Sequence, residues 1–190
     1  AAQAIGTRLL LDDEVRNGDS VGDIGCYSFF PSKNLGGIGD GGMVVTSDEN
    51  LAAKIRKLKN HGSHPKYYHQ MIGGNFRLDA IQAAALLAKL PYLDDWHARR
   101  QENAAYYDEQ FYGFRQLKTP AISGERTYHI YNQYVLRVPD RNGLRAHLTE
   151  QNIGNEVYYP VSFHEQECFA YLGHSTGDFP EAEKAAAETV

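Results

Sequence analysis

A mixed α/β fold in two parts is predicted, and three observations predict it. Two strand-like runs bracket a glycine-dense loop in the first third of the chain. Helix-like runs of contrasting surface character follow, and the second half then alternates short strand-like and helix-like segments in the manner of a small α+β unit.

The elements take their justification in order. The opening is turn-rich around Arg16-Asn17-Gly18-Asp19. Residues 25–30 (GCYSFF) are aromatic-rich and read as a buried strand. Residues 36–42 then hold five glycines in seven positions, and residues 43–46 (MVVT) form a second short strand. Asp48 and Glu49 open a stretch with Leu51, Ile55 and Leu58 on one face and basic residues toward Gly62, which is the pattern of a capped amphipathic helix. Residues 61–76 have no periodicity and read as a long loop of the kind that carries function. Residues 78–89 (LDAIQAAALLAK) predict a helix buried on most sides, partly against a second subunit, and ended by Pro91. A polar helix over residues 94–111 contains the only tryptophan and bridges two domains, so the boundary is placed at its start, giving 1–93 and 94–190. Beyond it, a strand at 128–138, a helix at 141–152, a strand at 156–159 and a helix from Pro180 complete the prediction.

Composition narrows the function classes. With 190 residues, 42% hydrophobic and 23% charged, the chain is built for a packed core and not for disorder or a fibrous repeat. No run approaches the ~18 apolar residues of a membrane span. Nineteen basic against 24 acidic residues give a net charge of −5, so nucleic acid and anionic lipid exert no chain-wide pull and any anion site must be local. Two cysteines, Cys26 and Cys168, match no disulfide scaffold, zinc or redox motif, and a reducing cytoplasm is expected. The chain starts at Ala1 without an initiator methionine and stops within a helix-like run, which reads as a piece of something longer.

The sharpest feature is Lys33, set between the first strand and the glycine loop in SFFPSKNLGGIGDGG. Burial there would strip the ammonium of hydration and free the amine to attack an aldehyde and form a Schiff base. Ser28 offers a hydroxyl and adjacent backbone N–H groups to a phosphate, and the glycines let backbone approach a flat ligand. The plain alternative is a mobile surface loop with a solvated lysine. Gly37 to Gly42 match G-x-G-x-x-G, but a dinucleotide fingerprint must open a helix and this one runs into a strand. A P-loop is excluded because Lys33 precedes the glycines and is followed by Asn34.

Four segments together, AAQAIGT, SFFPSKNLGGIGDGGMVVT, GGNFRLDAIQAAAL and YNQYVLRV, resemble the DegT/DnrJ/StrS sugar-nucleotide aminotransferases across nearly the whole chain. The resemblance implies a pyridoxal-phosphate enzyme of the aspartate-aminotransferase fold type I: the later part of the cofactor-binding large domain, then a small α+β domain. It implies that Lys33 carries the cofactor and acts as general acid/base, that Ser28 binds its phosphate and that Gln3 contacts its ring. Asn75 would reach the phosphate of the neighbouring subunit's cofactor, so the active site is shared across a homodimer. The family's ring-nitrogen aspartate would lie one residue before Ala1, and members are about twice this length, so this piece alone is expected to be inactive. The K-N-L-G-x-x-G-D-G-G and R-L-D-x-I-Q-A-A forms resemble members that aminate nucleotide-linked 3-keto sugars, with glutamate as the usual donor, in polysaccharide or antibiotic-sugar synthesis. The second reading is a non-catalytic or regulatory homologue that binds cofactor or nucleotide-sugar; a related dehydratase would replace Lys33 with histidine.

Other residues receive weaker assignments. His129 and Tyr131 border the substrate in relatives, and Tyr158, Tyr159 and His164 join them as substrate candidates. His61, His64 and His69 lack partners for a metal set, so no metal is expected. Lys54, Arg56, Lys57 and Lys59 complement a helix dipole and are not read as a nucleic-acid patch.

Overall fold

The computed structural model describes residues 2–11, 14–18, 21–122 and 128–190. By Cα proximity the chain divides into two compact units, the first comprising residues 1–104 and 122–132 and the second residues 105–121 and 133–190. They part within the helix at whose start the sequence places the boundary, and residues 122–132 return to the first unit.

In the first unit, β1 (Arg8–Leu11) pairs antiparallel with β2 (Glu14–Asn17), Leu9 facing Arg16 and Leu10 facing Val15. This hairpin corrects the expectation of a turn-rich opening: Arg16 and Asn17 are strand residues, and Asp19 lies outside the described residues. Four-residue arms give too short an alternation to register as strands in sequence. The predicted pair around the glycine loop is present as β3 (Gly25–Ser28) and β4 (Gly42–Val45), antiparallel, with Ser28 opposite Gly42. β3 ends before Phe30 because Phe29 turns its backbone into the loop: its N–H donates to Gly41 O at 2.8 Å and its carbonyl accepts from Gly37 N at 2.7 Å.

α1 (Glu49–Leu58) begins where Asp48 satisfies two orphan amides, its Oδ1 accepting from Asn50 N at 2.7 Å and Leu51 N at 3.1 Å, and ends with Arg56 and Lys57 near the negative end of the dipole. The 61–76 loop is cross-tied by Gln70, whose Oε1 accepts from Lys57 Nζ at 2.7 Å and whose Nε2 donates to His64 O at 2.6 Å. α2 (Ala80–Lys89) runs through a 3₁₀ turn at Leu90–Tyr92, which contains Pro91, into α3 (Leu93–Phe111). α2 is not buried on most sides within this chain. Leu86 alone of its residues is buried, while Ile81 and Leu87 are 72% and 67% exposed. An alanine-rich helix has little side chain to bury, so one leucine carries its contact, joining Phe29, Leu35 and Leu93 in the core with Ile5, Tyr27, Leu78 and Trp96 around them.

In the second unit, α4 (Arg141–Glu150) is capped by Asp140, which accepts from Gly143 N at 2.9 Å, and α5 (Pro180–Glu188) starts with proline at its first position. α5 is fastened by the ion pair of Arg137 Nε with Glu188 Oε2 at 2.6 Å and by Arg141 Nη1 donating to Ala186 O at 3.2 Å. That bond from Arg137 holds the Glu188 carboxyl below its ordinary range. The strands expected at 128–138 and 156–159 do not form. Residues 128–138 make only isolated bridges, Arg8 with Tyr128 and Arg137 with Lys118 and Thr189. Positive φ at Tyr131 (42°) and Tyr159 (63°) breaks the extended backbone a ladder needs.

Candidate active site

The site is built from the loop between β3 and β4. Its ends are closed on Phe29 by the two bonds described above, and Lys33 N donates to Phe30 O at 2.8 Å, which folds residues 30–33 into a turn. Immediately after Lys33 the chain is buried from Asn34 to Gly37, whereas Pro31 and Ser32 are exposed and Lys33 is half-buried. The lysine therefore stands at the rim of a loop tied by backbone hydrogen bonds. The loop leads into β4 and not into a helix, so the dinucleotide-like glycine pattern carries no dinucleotide geometry.

Helix α2 holds the glycines from outside. Gln82 Oε1 accepts from Ile38 N at 2.9 Å, and Lys89 Nζ donates to Gly36 O at 2.6 Å; the two residues are seven apart and share one helix face. Gln82 lies so close that a Cβ on Gly37 would meet its Oε1 at 2.6 Å and push that side chain off the loop. Asn34 ties the other flank, its Nδ2 donating to Ile130 O at 3.2 Å.

Among the segments that carry sequence-predicted residues, bonds tie the Gln3 segment to that of Ser28, and the Lys33 loop, through Asn34, to the turn of His129 and Tyr131. Ser28 N donates to Ala2 O at 3.3 Å, which lays the Gln3 segment against the end of β3. Ser28 Oγ accepts from Phe30 N at 3.3 Å, so the hydroxyl proton remains to donate elsewhere. His129 and Tyr131 flank Ile130 in a turn fixed by α3: Gln101 Nε2 donates to His129 O at 2.8 Å and Arg100 Nη1 to Tyr131 O at 3.0 Å. His129 Nδ1 accepts from Tyr131 N at 3.1 Å, placing any neutral-ring proton on Nε2, and burial lowers the pKa of this ring. Asn75 is exposed and bridged to Asn60, and no described contact joins it to Lys33. Tyr158, Tyr159 and His164 belong to the second unit. There Tyr158 lines an apolar cavity with Tyr107, Tyr134 and Leu148, Tyr159 is 68% exposed, and His164 Nε2 is bonded to Glu183 Oε1 at 2.9 Å. Among the described residues no three His, Cys, Asp or Glu side chains converge as a metal ion requires; His69 Nδ1 instead lies 2.9 Å from His61 O.

Sequence reasoning missed the residues that hold the loop. Gln82 and Lys89 left a signal in retrospect, two polar side chains on one face of an apolar helix; Asn34, Arg100 and Gln101 left none.

The chemistry of these residue types suits pyridoxal phosphate: a half-buried primary amine can condense with an aldehyde, and a hydroxyl whose proton is uncommitted can donate to a phosphate. The fold defines a class, the fold-type I pyridoxal-phosphate enzymes: the structure of S. venezuelae DesV superposes with a TM-score of 0.91 at 36% identity, over 99% of this chain and 49% of that one. The chain belongs to the DegT/DnrJ/EryC1/StrS aminotransferase family, whose model matches residues 1–190. It is 47% identical over 196 residues to a protein of Geobacillus stearothermophilus named pleiotropic regulatory protein, covering 100% of this chain and 50% of that one. It is 41% identical to the UDP-N-acetyl-3-dehydro-alpha-D-glucosamine 3-aminotransferase of Acidithiobacillus ferrooxidans, covering 90% of this chain and 44% of that one. The chain thus spans about half the length of the curated relatives it matches.

Proposed function

We propose that this chain provides the lysine-bearing part of a pyridoxal-phosphate-dependent aminotransferase that moves an amino group, from glutamate, to a nucleotide-linked 3-keto sugar. One observation carries the reading: Lys33 sits at the rim of a hydrogen-bonded loop whose flanks are the Gln3 and Ser28 segments on one side and the His129–Tyr131 turn on the other. The likeness to the Acidithiobacillus 3-aminotransferase supports the 3-keto position.

Pyridoxal phosphate, when bound, supplies an electron sink for the bond that breaks at the donor's α-carbon. Lys33 Nζ would hold the cofactor by its aldehyde, give it up to the donor amine, and then carry the proton from the donor's α-carbon to the cofactor's C4′. Ser28 Oγ–H donates to the phosphate, and Gln3 bears on the ring. The α2 residues Gln82 and Lys89 keep the glycine backbone in place beneath the site, and His129 and Tyr131 border the sugar. Asn75 acts in the partner's site, in a homodimer. The setting is the cytoplasm, in polysaccharide or antibiotic-sugar synthesis; the free, exposed Cys26 and Cys168 suit a reducing compartment.

In the full-length protein, Lys33→Ala removes both the attachment point and the proton carrier, and amino transfer from glutamate to a UDP-linked 3-keto sugar is expected to fall by at least about 10³-fold. A variant that retains wild-type transfer sinks the proposal. A regulatory homologue is the second reading, favoured by the name of the Geobacillus relative. It predicts cofactor bound at Lys33 with no exchange of the amino group of glutamate.

A further inference from the structure

His97, on α3, is the most deeply buried large side chain among the described residues, with 0% exposure, and both of its ring nitrogens lack a hydrogen-bond partner. Neither feature is used by the site described above. The ring is pressed against Gly6. A Cβ built on Gly6 would meet His97 Cε1 at 2.6 Å and Nδ1 at 2.8 Å, with Ile130 Cγ2 at 3.7 Å from the same point. Gly6 has φ of +88°, a conformation that suits glycine, and it lies three residues after Gln3, in the turn closed by Thr7 N donating to Ala4 O at 3.0 Å. The segment carrying Gln3 is therefore held at two points, by Ser28 N at Ala2 and by the His97 ring at Gly6, with Gln3 between them.

We propose that His97 is a positioning residue of the cofactor site, acting by shape: its ring buttresses the Gly6 turn and so sets the depth at which Gln3 meets the pyridoxal ring. The ring meets Gly6 by close contact and not by a hydrogen bond, so it is the volume of the ring that the turn rests on. The same helix positions the opposite flank through Arg100 and Gln101, so α3 gauges both edges of the Lys33 loop. The proposal rests on the reading of Lys33, Ser28 and Gln3 as the cofactor's residues.

The test is a pyridoxal-phosphate titration of the purified full-length protein, followed by absorbance, for wild type, His97→Ala and His97→Leu. Truncation to alanine is expected to weaken cofactor affinity about 10-fold, and leucine, which refills the volume without the nitrogens, to restore it to within about 2-fold. An alanine variant that is folded by circular dichroism and binds as wild type overturns the proposal. So does a leucine variant as weak as alanine, because the nitrogens would then be what matters. Where alanine fails to fold, NMR of the wild type decides: cofactor addition is expected to shift the Gly6 amide and His97 ring signals, and unchanged signals overturn it. Wild-type protein that takes up no cofactor at Lys33 contradicts instead the function on which the proposal rests.

Discussion

At the scale of single residues, burial of polar groups decides how this molecule responds to its surroundings. His97 and His129 both have pKa values lowered from the ordinary 6.5, in each case chiefly because burial penalises the charged ring, with Asp94 partly opposing this at His97. The folded chain therefore binds fewer protons than the unfolded chain once pH drops below about 6.5. Their contribution is intact above that pH and is lost as pH falls toward the depressed folded values. Urea midpoints measured between pH 7.5 and 5 are expected to decline on the acid side, and His97→Leu to flatten the decline. A wild-type midpoint that rises as pH falls through this range contradicts the assignment.

At the scale of elements, the loop after β3 depends on α2 for its shape. Ile38 N has Gln82 Oε1 as its acceptor, and Gln82→Ala leaves that amide without its partner while opening space beside Gly37. A loss of about 1 kcal/mol is expected, read as a lower denaturation midpoint at unchanged slope. No loss would mean that water replaces the bond at no cost. The same scale separates what the sequence showed from what it hid. β3, β4, the Asp48-capped helix and the Pro180 helix were legible because periodicity, caps and proline act within a few residues. The missed β1–β2 hairpin had arms too short to show a period, and the false strands at 128–138 and 156–159 were broken by positive φ at Tyr131 and Tyr159, which nothing in their residue types announces. Lys33 and Ser28 drew their assignment because chemistry and glycine spacing coincide there; Gln82, Asn34 and His97 act through contacts 44 to 96 residues distant in sequence, or through packing alone.

At the scale of the whole molecule, the chain exposes apolar side chains that a single copy leaves uncovered, among them Ile72 at 97%, Phe76 at 74% and Ile81 at 72%. These residues cluster in sequence around Asn75, the residue assigned to a partner's site. If each site takes Lys33 from one subunit and Asn75 from the other, Lys33→Ala and Asn75→Ala proteins are each defective. Mixed after dissociation and reassociation, they form hybrids with one intact site. Recovered amino transfer on mixing is the expected result, and activity that merely averages the two parents contradicts a shared site.

The central claim is that Lys33 is the cofactor's anchor. It is tested most directly by adding pyridoxal phosphate to the purified full-length protein, reducing with borohydride and mapping the labelled peptide. An absorbance band near ~420 nm before reduction and a label on Lys33 afterwards are predicted for a lysine Schiff base. A protein that shows no band, or that carries its label on another lysine such as Lys89, contradicts the account.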